Sequence, residues 1–167
     1  VSSKPIDYTN KISMQPKLDG VRCVIQYEGK SSVDPRVVAY SRTGKQWKNI
    51  EHICMQLKPF FKKYPDVILD GELYNHDLRN DFEQIISIVR RQKPDDIDML
   101  NSREMVQFHC YDAIDELVKF NNRHLWLTKF VPESYCVKHV KTQAVPTESL
   151  SKVVHQQNLD AGYEGSI

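Results

Sequence analysis

Gln15-Pro16-Lys17-Leu18-Asp19-Gly20-Val21-Arg22 places a lysine, a carboxylate, a glycine and an arginine within six residues. Apolar residues precede it (Ile12, Met14) and follow it (Val21, Cys23, Ile25), which predicts a turn between two half-buried strands. An ammonium held at such a turn, desolvated and close to the Arg22 cation, is the kind of amine that gives up its proton near neutral pH and becomes a nucleophile. Gly20 admits a bulky ligand close to the backbone, or supplies a backbone conformation that other residues resist. The competing reading is a surface β-turn in which Asp-Gly bends the chain and Lys17 is solvated. The rest of the chain decides between them.

Downstream, VRCVIQY (21–27) alternates as a strand, 28–35 is a turn-rich loop, and RVVAYS (36–41) is its partner strand, closed by the glycine-bearing turn Arg42-Thr43-Gly44-Lys45. Ile50, Ile53, Cys54, Leu57, Phe60 and Phe61 recur at helical spacing over 50–64, where Pro59 is expected to kink or split the helix. VILDGELY (67–74) reads as a strand and residues 81–92 as an amphipathic helix capped by Asn80 or Asp81, with basic residues in its last turn. Residues 93–104 read as a loop and 105–114 as a strand. A helix runs from about 117 to 130, followed by a short strand over 134–140. Thr147 caps a helix over 147–161 that Gly162 ends, and 163–167 starts a final strand. Strands and helices mix without βαβ alternation, which predicts an α+β fold with mostly antiparallel sheets.

The chain has 167 residues, room for one domain with a real core, and is 40% hydrophobic and 27% charged. A net charge of +1 neither announces nor excludes a nucleic-acid partner, because affinity follows local basic patches. The four cysteines (23, 54, 110 and 136) form no C-x-x-C pair and sit among apolar neighbours, as reduced core residues of an intracellular protein do. No stretch has the length of a membrane span and no signal-peptide pattern opens the chain. The six histidines are scattered, and His109 reads as a half-buried, hydrogen-bonded strand residue.

Several stretches put polar residues where a ligand would explain them. Asp70 and Glu72 lie two apart on one strand and so share a face, which a core strand seldom tolerates without a metal, ribose hydroxyls or a lysine beside it. An edge strand open to solvent is the alternative. Phe108 and Tyr111 could stack on a base or simply fill the core. Arg42 and Lys45 could grip phosphate or be solvated, and Lys58, Lys62, Lys63, Arg90, Arg91 and Lys93 could be solvated helix ends or touch a DNA backbone. Glu164-Gly165 puts a carboxylate at the start of a strand.

In order, Lys-x-Asp-Gly-x-Arg, Ser-Arg-Thr-Gly-Lys, Asp-Gly-Glu-Leu, Phe-x-x-Tyr-Asp and Glu-Gly resemble the motif series of the covalent nucleotidyltransferases, the ATP-dependent DNA ligases in particular. The resemblance spans Gln15 to Ile167 and is strongest to the small ligases of phages and viruses. It implies that Lys17 attacks the α-phosphate of ATP and holds AMP as a phosphoramidate. Gln15, Arg22, Glu72 and Tyr111 would contact the nucleotide, with Glu72 on the ribose and Tyr111 on adenine. Arg22, Arg42 and Lys45 would contact phosphate or DNA, and Glu164 with Glu72 would bind Mg²⁺ or another divalent cation. Asp19 would shape the loop. The partners implied are ATP and nicked double-stranded DNA, with a monomeric, intracellular protein and no membrane.

Residues 1–167 are thus expected to form an adenylation domain truncated before its last motif, a Lys-x-Lys strand, and without the OB-fold domain that usually follows. The rivals are an mRNA-capping guanylyltransferase, against which Glu164 stands where those enzymes tend to have Asp, and an RNA ligase. An NAD-dependent ligase fits less well, since Arg22 occupies a position where those usually have a small residue. A scaffold domain that kept the fold and lost the chemistry would bind DNA without regard to Lys17.

Overall fold

In the computed structural model, residues 5–29 and 35–167 are described; most of the expected 28–35 loop and the first four residues of the lead-in lie outside them. The chain divides into two units, Asp19–His139 and the pair of segments Val1–Leu18 and Val140–Ile167.

The larger unit is built on a five-stranded sheet. Its strands are β3 (Val21–Glu28), β4 (Arg36–Tyr40), β5 (Leu69–Tyr74), β6 (Gln107–Ala113) and β7 (Val137–His139), in the order β4-β3-β5-β6-β7. All neighbours run antiparallel except β6 and β7, which are parallel. One face of the sheet supplies Cys23, Ile25, Leu69, Leu73, Phe108 and Cys110 to a core completed by α1 (Glu51–Lys63), with Ile53, Leu57, Phe60 and Phe61, and by Leu127 of α4 (Phe120–Phe130). The mixed α+β architecture with mostly antiparallel pairing is the one the sequence predicts.

Three local expectations fail for physical reasons. Pro59 does not split α1, because burial of Leu57, Phe60 and Phe61, at about 1.5–3 kcal/mol each, outweighs the roughly 3 kcal/mol that an interior proline costs. Residues read as a loop over 93–104 contain α3 (Asp96–Met105). It starts with a capping box in which the Asp98 amide donates to Asp95 Oδ1 at 2.8 Å and the Asp95 amide to Asp98 Oδ2 at 3.3 Å. Ser102 is its one buried residue, so no apolar period announces it. Helix α2 (Phe82–Val89) ends earlier than expected, so Arg90 caps it and Arg91 lies beyond, 3.6 Å from Asp98. The Asp81 side chain makes no capping bond there and instead accepts a hydrogen bond from Gln84.

The smaller unit consists of two short antiparallel pairs and a helix. Strand β1 (Ser13–Met14) pairs with β8 (Gln143–Ala144), and β2 (Pro16–Lys17) with β9 (Gly165–Ser166). Helix α5 (Glu148–Asp160) is capped by Thr147, whose hydroxyl accepts from the Leu150 amide at 3.2 Å. All four cysteines are free thiols, and no helix among the described residues is long and apolar enough to cross a membrane.

Candidate active site

In the smaller unit, strand pairing brings Lys17 and Glu164 together across most of the chain's length. Lys17 lies opposite Gly165, and the Glu164 amide donates to the Lys17 carbonyl at 3.2 Å. Reciprocal amide-to-carbonyl bonds of 2.9 Å between Gln15 and Ile167 extend the ladder. Lys17 Nζ donates to Glu164 Oε1, and both side chains keep 45% of their surface exposed. The amine is therefore paired with a carboxylate and open to solvent, where the sequence predicts a desolvated one. Gln15 lies two residues before Lys17, and its amide Nε2 donates to Thr142 Oγ1 at 2.8 Å.

In the larger unit, the face of the sheet opposite the core carries Arg22, Asp70, Glu72 and Tyr111. Register sets them side by side: Arg22 lies opposite Glu72 on β5, and Glu72 lies opposite His109 on β6. Between Asp70 and Gly71 the pairing slips by one residue. Asp70 faces Asp112 and Gly71 faces Cys110, so Tyr111 is the extra residue of a β-bulge. Asp70 is the hub. It accepts from Arg22 Nε at 3.0 Å, from Arg22 Nη2 at 2.6 Å and from the Tyr111 hydroxyl at 3.1 Å, with only 9% of its side chain exposed. The hydrogen bonds to Asp70, then its charge, make the Arg22 guanidinium hold its proton more tightly still. Burial, followed by the negative charges of Asp70 and Glu72, pushes the Tyr111 phenol well above its usual range and keeps it a neutral donor.

Gly20 makes room for this face. Its φ is not in the left-handed region, so the backbone-conformation role read for it does not apply. A Cβ there would run into Glu72 Cγ and lie 2.6 Å from the Leu73 carbonyl oxygen. Asp19 beside it is exposed. His109 is half-buried, with Nε2 3.0 Å from Gln107 Oε1, as expected, and burial followed by the nearby Lys138 and His76 pushes its pKa down to about 4.

Arg42 and Lys45 lie on a tight exposed turn after β4. There the Gly44 amide donates to Ser41 O at 3.0 Å and Gly44 takes φ 78°, which favours glycine. Their side chains point to no carboxylate among the described contacts. Lys58, Lys62 and Lys63 are exposed along α1. Among the described residues no three His, Cys, Asp or Glu side chains converge as a metal site.

Sequence reading noted Asp70 as one of two carboxylates on a face but gave it no role, and it missed Arg123 altogether. Arg123 on α4 clamps Asp112 with Nε to Oδ1 at 2.9 Å and Nη2 to Oδ2 at 2.6 Å. The bulge that seats Tyr111 beside Asp70 was one signal within reach, since Tyr111-Asp112 interrupts the alternation of strand β6.

A profile of the family described as ATP dependent DNA ligase domain matches residues 4–167. No curated protein matches the sequence. Among solved structures, the Chlorella virus DNA ligase-adenylate is 17% identical with a TM-score of 0.64, the match covering 92% of this chain and 52% of that one. A structure from work on DNA binding by Lig E DNA ligases is 20% identical with a TM-score of 0.64, covering 92% and 53%. An archaeal ATP-dependent RNA ligase is 16% identical with a TM-score of 0.60, covering 92% and 38%. At these identities the likeness is one of fold, and the chain spans about half or less of each structure's length.

Proposed function

The chain belongs to the ATP dependent DNA ligase domain family, and from that premise we propose that it performs the covalent nucleotide-transfer step of such a ligase, with Lys17 as the nucleophile. The observation that carries this reading is the Lys17–Glu164 pair, because the strand register of β2 and β9 fixes a lysine amine against a carboxylate at one end of the shared ladder. A bond forms between Lys17 Nζ and the α-phosphorus of ATP, the bond from that phosphorus to the bridging oxygen breaks, and pyrophosphate leaves. The ammonium must first lose a proton, and Glu164 is the carboxylate that already receives its hydrogen bond.

Phosphoryl-type transfer asks chiefly for positioning and charge neutralisation. Arg22, Arg42 and Lys45 are the cations proposed for phosphate, of which Arg22 is already oriented by Asp70. Glu72 is proposed for the ribose hydroxyls, Tyr111 for the adenine ring and Gln15 for further nucleotide contact. A Mg²⁺ ion in such sites is typically held by one or two carboxylates together with substrate phosphates. Glu164 and Glu72 are the carboxylates proposed for such an ion, which would supply further charge neutralisation.

AMP then passes to the 5′-phosphate of nicked double-stranded DNA, and the 3′-hydroxyl displaces it to seal the strand. Sealing belongs to the whole protein. We read residues 1–167 as adenylation-domain sequence. RNA ligase chemistry is a second reading, supported by the fold shared with the archaeal RNA ligase.

The test is nucleotide choice in the covalent step. Intact mass after incubation with Mg²⁺ and ATP, GTP or NAD⁺ should show one AMP-sized increment from ATP alone. A GMP increment would move the reading to a capping enzyme. Absence of any increment, also from a chain extended past Ile167, would favour a binding scaffold.

A further inference from the structure

The register that makes Tyr111 the extra residue of the bulge also sets two carboxylates directly across from each other, Asp70 on β5 and Asp112 on β6. Directly opposed strand residues have Cβ atoms about 5 Å apart, and like charges in that relation repel. Each carboxylate is matched by its own arginine. Arg22 takes Asp70 and Arg123 takes Asp112, both through two hydrogen bonds. Arg123 and Asp112 keep only 20% and 18% of their side-chain surface, so solvent does little to screen the charge that either would leave behind.

Arg123 is itself fixed by more than Asp112. Nη1 donates to the carbonyls of Asp115, at 3.3 Å, and Val118, and the guanidinium carbon sits 5.7 Å from the centre of the Phe120 ring. The side chain thus ties the segment after β6 to α4. Asp112 Oδ1 also accepts from the Ala113 amide at 2.9 Å, which holds the chain on the far side of the bulge.

We propose that Arg123, acting through Asp112, is a positioning residue for the nucleotide site: it keeps the Asp112 charge away from Asp70 and so preserves the Arg22–Asp70–Tyr111 arrangement. The assignment of that arrangement to ATP rests on the function proposed above. Asp112 acts on the hub from the position opposite Asp70, and Arg123 acts on it through Asp112.

The charge argument separates this role from a merely structural one. Arg123→Ala leaves Asp112 uncompensated opposite Asp70, whereas Asp112→Asn/Arg123→Ala removes both charges and the ion pair together. Positioning through charge predicts that the single variant raises KM for ATP in the adenylation step by about tenfold or more, in line with the cost of displacing a binding group. The double variant should recover most of that loss although it has no ion pair. Crystal structures of the two variants give a readout independent of activity: the Tyr111–Asp70 hydrogen bond is lost in Arg123→Ala and restored in the double variant. The proposal is overturned if the double variant is as impaired as the single one, or if Arg123→Ala lowers melting temperature while KM and the Tyr111–Asp70 bond stay unchanged. A parent chain that forms no covalent adenylate would sink the function proposed above, and the crystallographic comparison would then decide the role of the pair by itself.

Discussion

Asp70 holds the Arg22 guanidinium at two points, 3.0 Å from Nε and 2.6 Å from Nη2, and receives the Tyr111 hydroxyl on the same oxygen that accepts Nε. Three strands meet in this one carboxylate. Its replacement therefore removes an acceptor that a cation and a phenol share, and the effect reaches both β3 and β6.

Asp70→Ala is expected to destabilise the protein by about 2 kcal/mol. Breaking a fully buried pair costs about 3–5 kcal/mol, and the partial exposure of Arg22 reduces that figure. For a chain of this size the melting temperature should fall by roughly 4–8 °C. A melting curve that does not move would show that the hub contributes nothing to stability.

Tyr111→Phe keeps the ring and removes the hydroxyl that donates to Asp70. Its expected cost is about 1 kcal/mol, the net value of one hydrogen bond. If Tyr111 acts through its ring, adenylation by this variant should stay within about threefold of the parent, while Tyr111→Ala should lose far more, since base stacking is worth about 1–3 kcal/mol. Equal losses in the two variants would assign the role to the hydroxyl instead.

Glycines 20 and 71 are places where only the absence of a side chain fits. A Cβ on Gly71 would collide with the Phe108 ring and lie 2.5 Å from the His109 carbonyl oxygen, at the centre of the sheet. Gly71→Ala should cost about 1–3 kcal/mol by overpacking. Gly20→Ala meets Glu72 Cγ, a side chain that can yield, and the Leu73 carbonyl, which is backbone. It should therefore disturb Glu72 and raise KM for ATP more than it lowers melting temperature. The two variants, compared by thermal melts and adenylation kinetics, should separate along those lines.

His109 gives the stability a pH dependence of defined sign. Its pKa in the folded chain is about 4, against an ordinary value of 6.5, because burial and then Lys138 and His76 disfavour the cation. Between those values the unfolded chain binds a proton that the folded chain refuses, so stability rises with pH through this window and is lost on acidification from 6.5 towards 4. One such proton gives a slope of at most about 1.4 kcal/mol per pH unit. His52, also lowered by burial, acts in the same direction. Melting temperatures from pH 7 to 4.5 should fall less steeply for His109→Gln than for the parent; parallel curves would contradict the assignment.

The fold was legible where side chains repeat. Leu57, Phe60 and Phe61 announce α1, and the alternation from Val21 to Tyr27 announces β3, because burial of one face imposes a period. Helix α3 was illegible for the same reason, since its stability rests on the Asp95–Asp98 cap and on Ser102 reaching the Asn49 carbonyl. At the site, the motif residues named themselves, but their pairing did not. That Lys17 meets Glu164, and that Arg22 chooses Asp70 over the directly opposed Glu72, depends on register and on a one-residue bulge, which contacts remote in sequence determine. Arg123 carries no local signal, being one cation on a helix of mixed character.

The most direct test of the account is the mass of the intact chain after incubation with ATP and Mg²⁺, for the parent and for Lys17→Ala. The account predicts a single AMP-sized increment that is reversed by pyrophosphate and absent from Lys17→Ala. An increment that persists in Lys17→Ala, or one that forms with GTP and not with ATP, would contradict it.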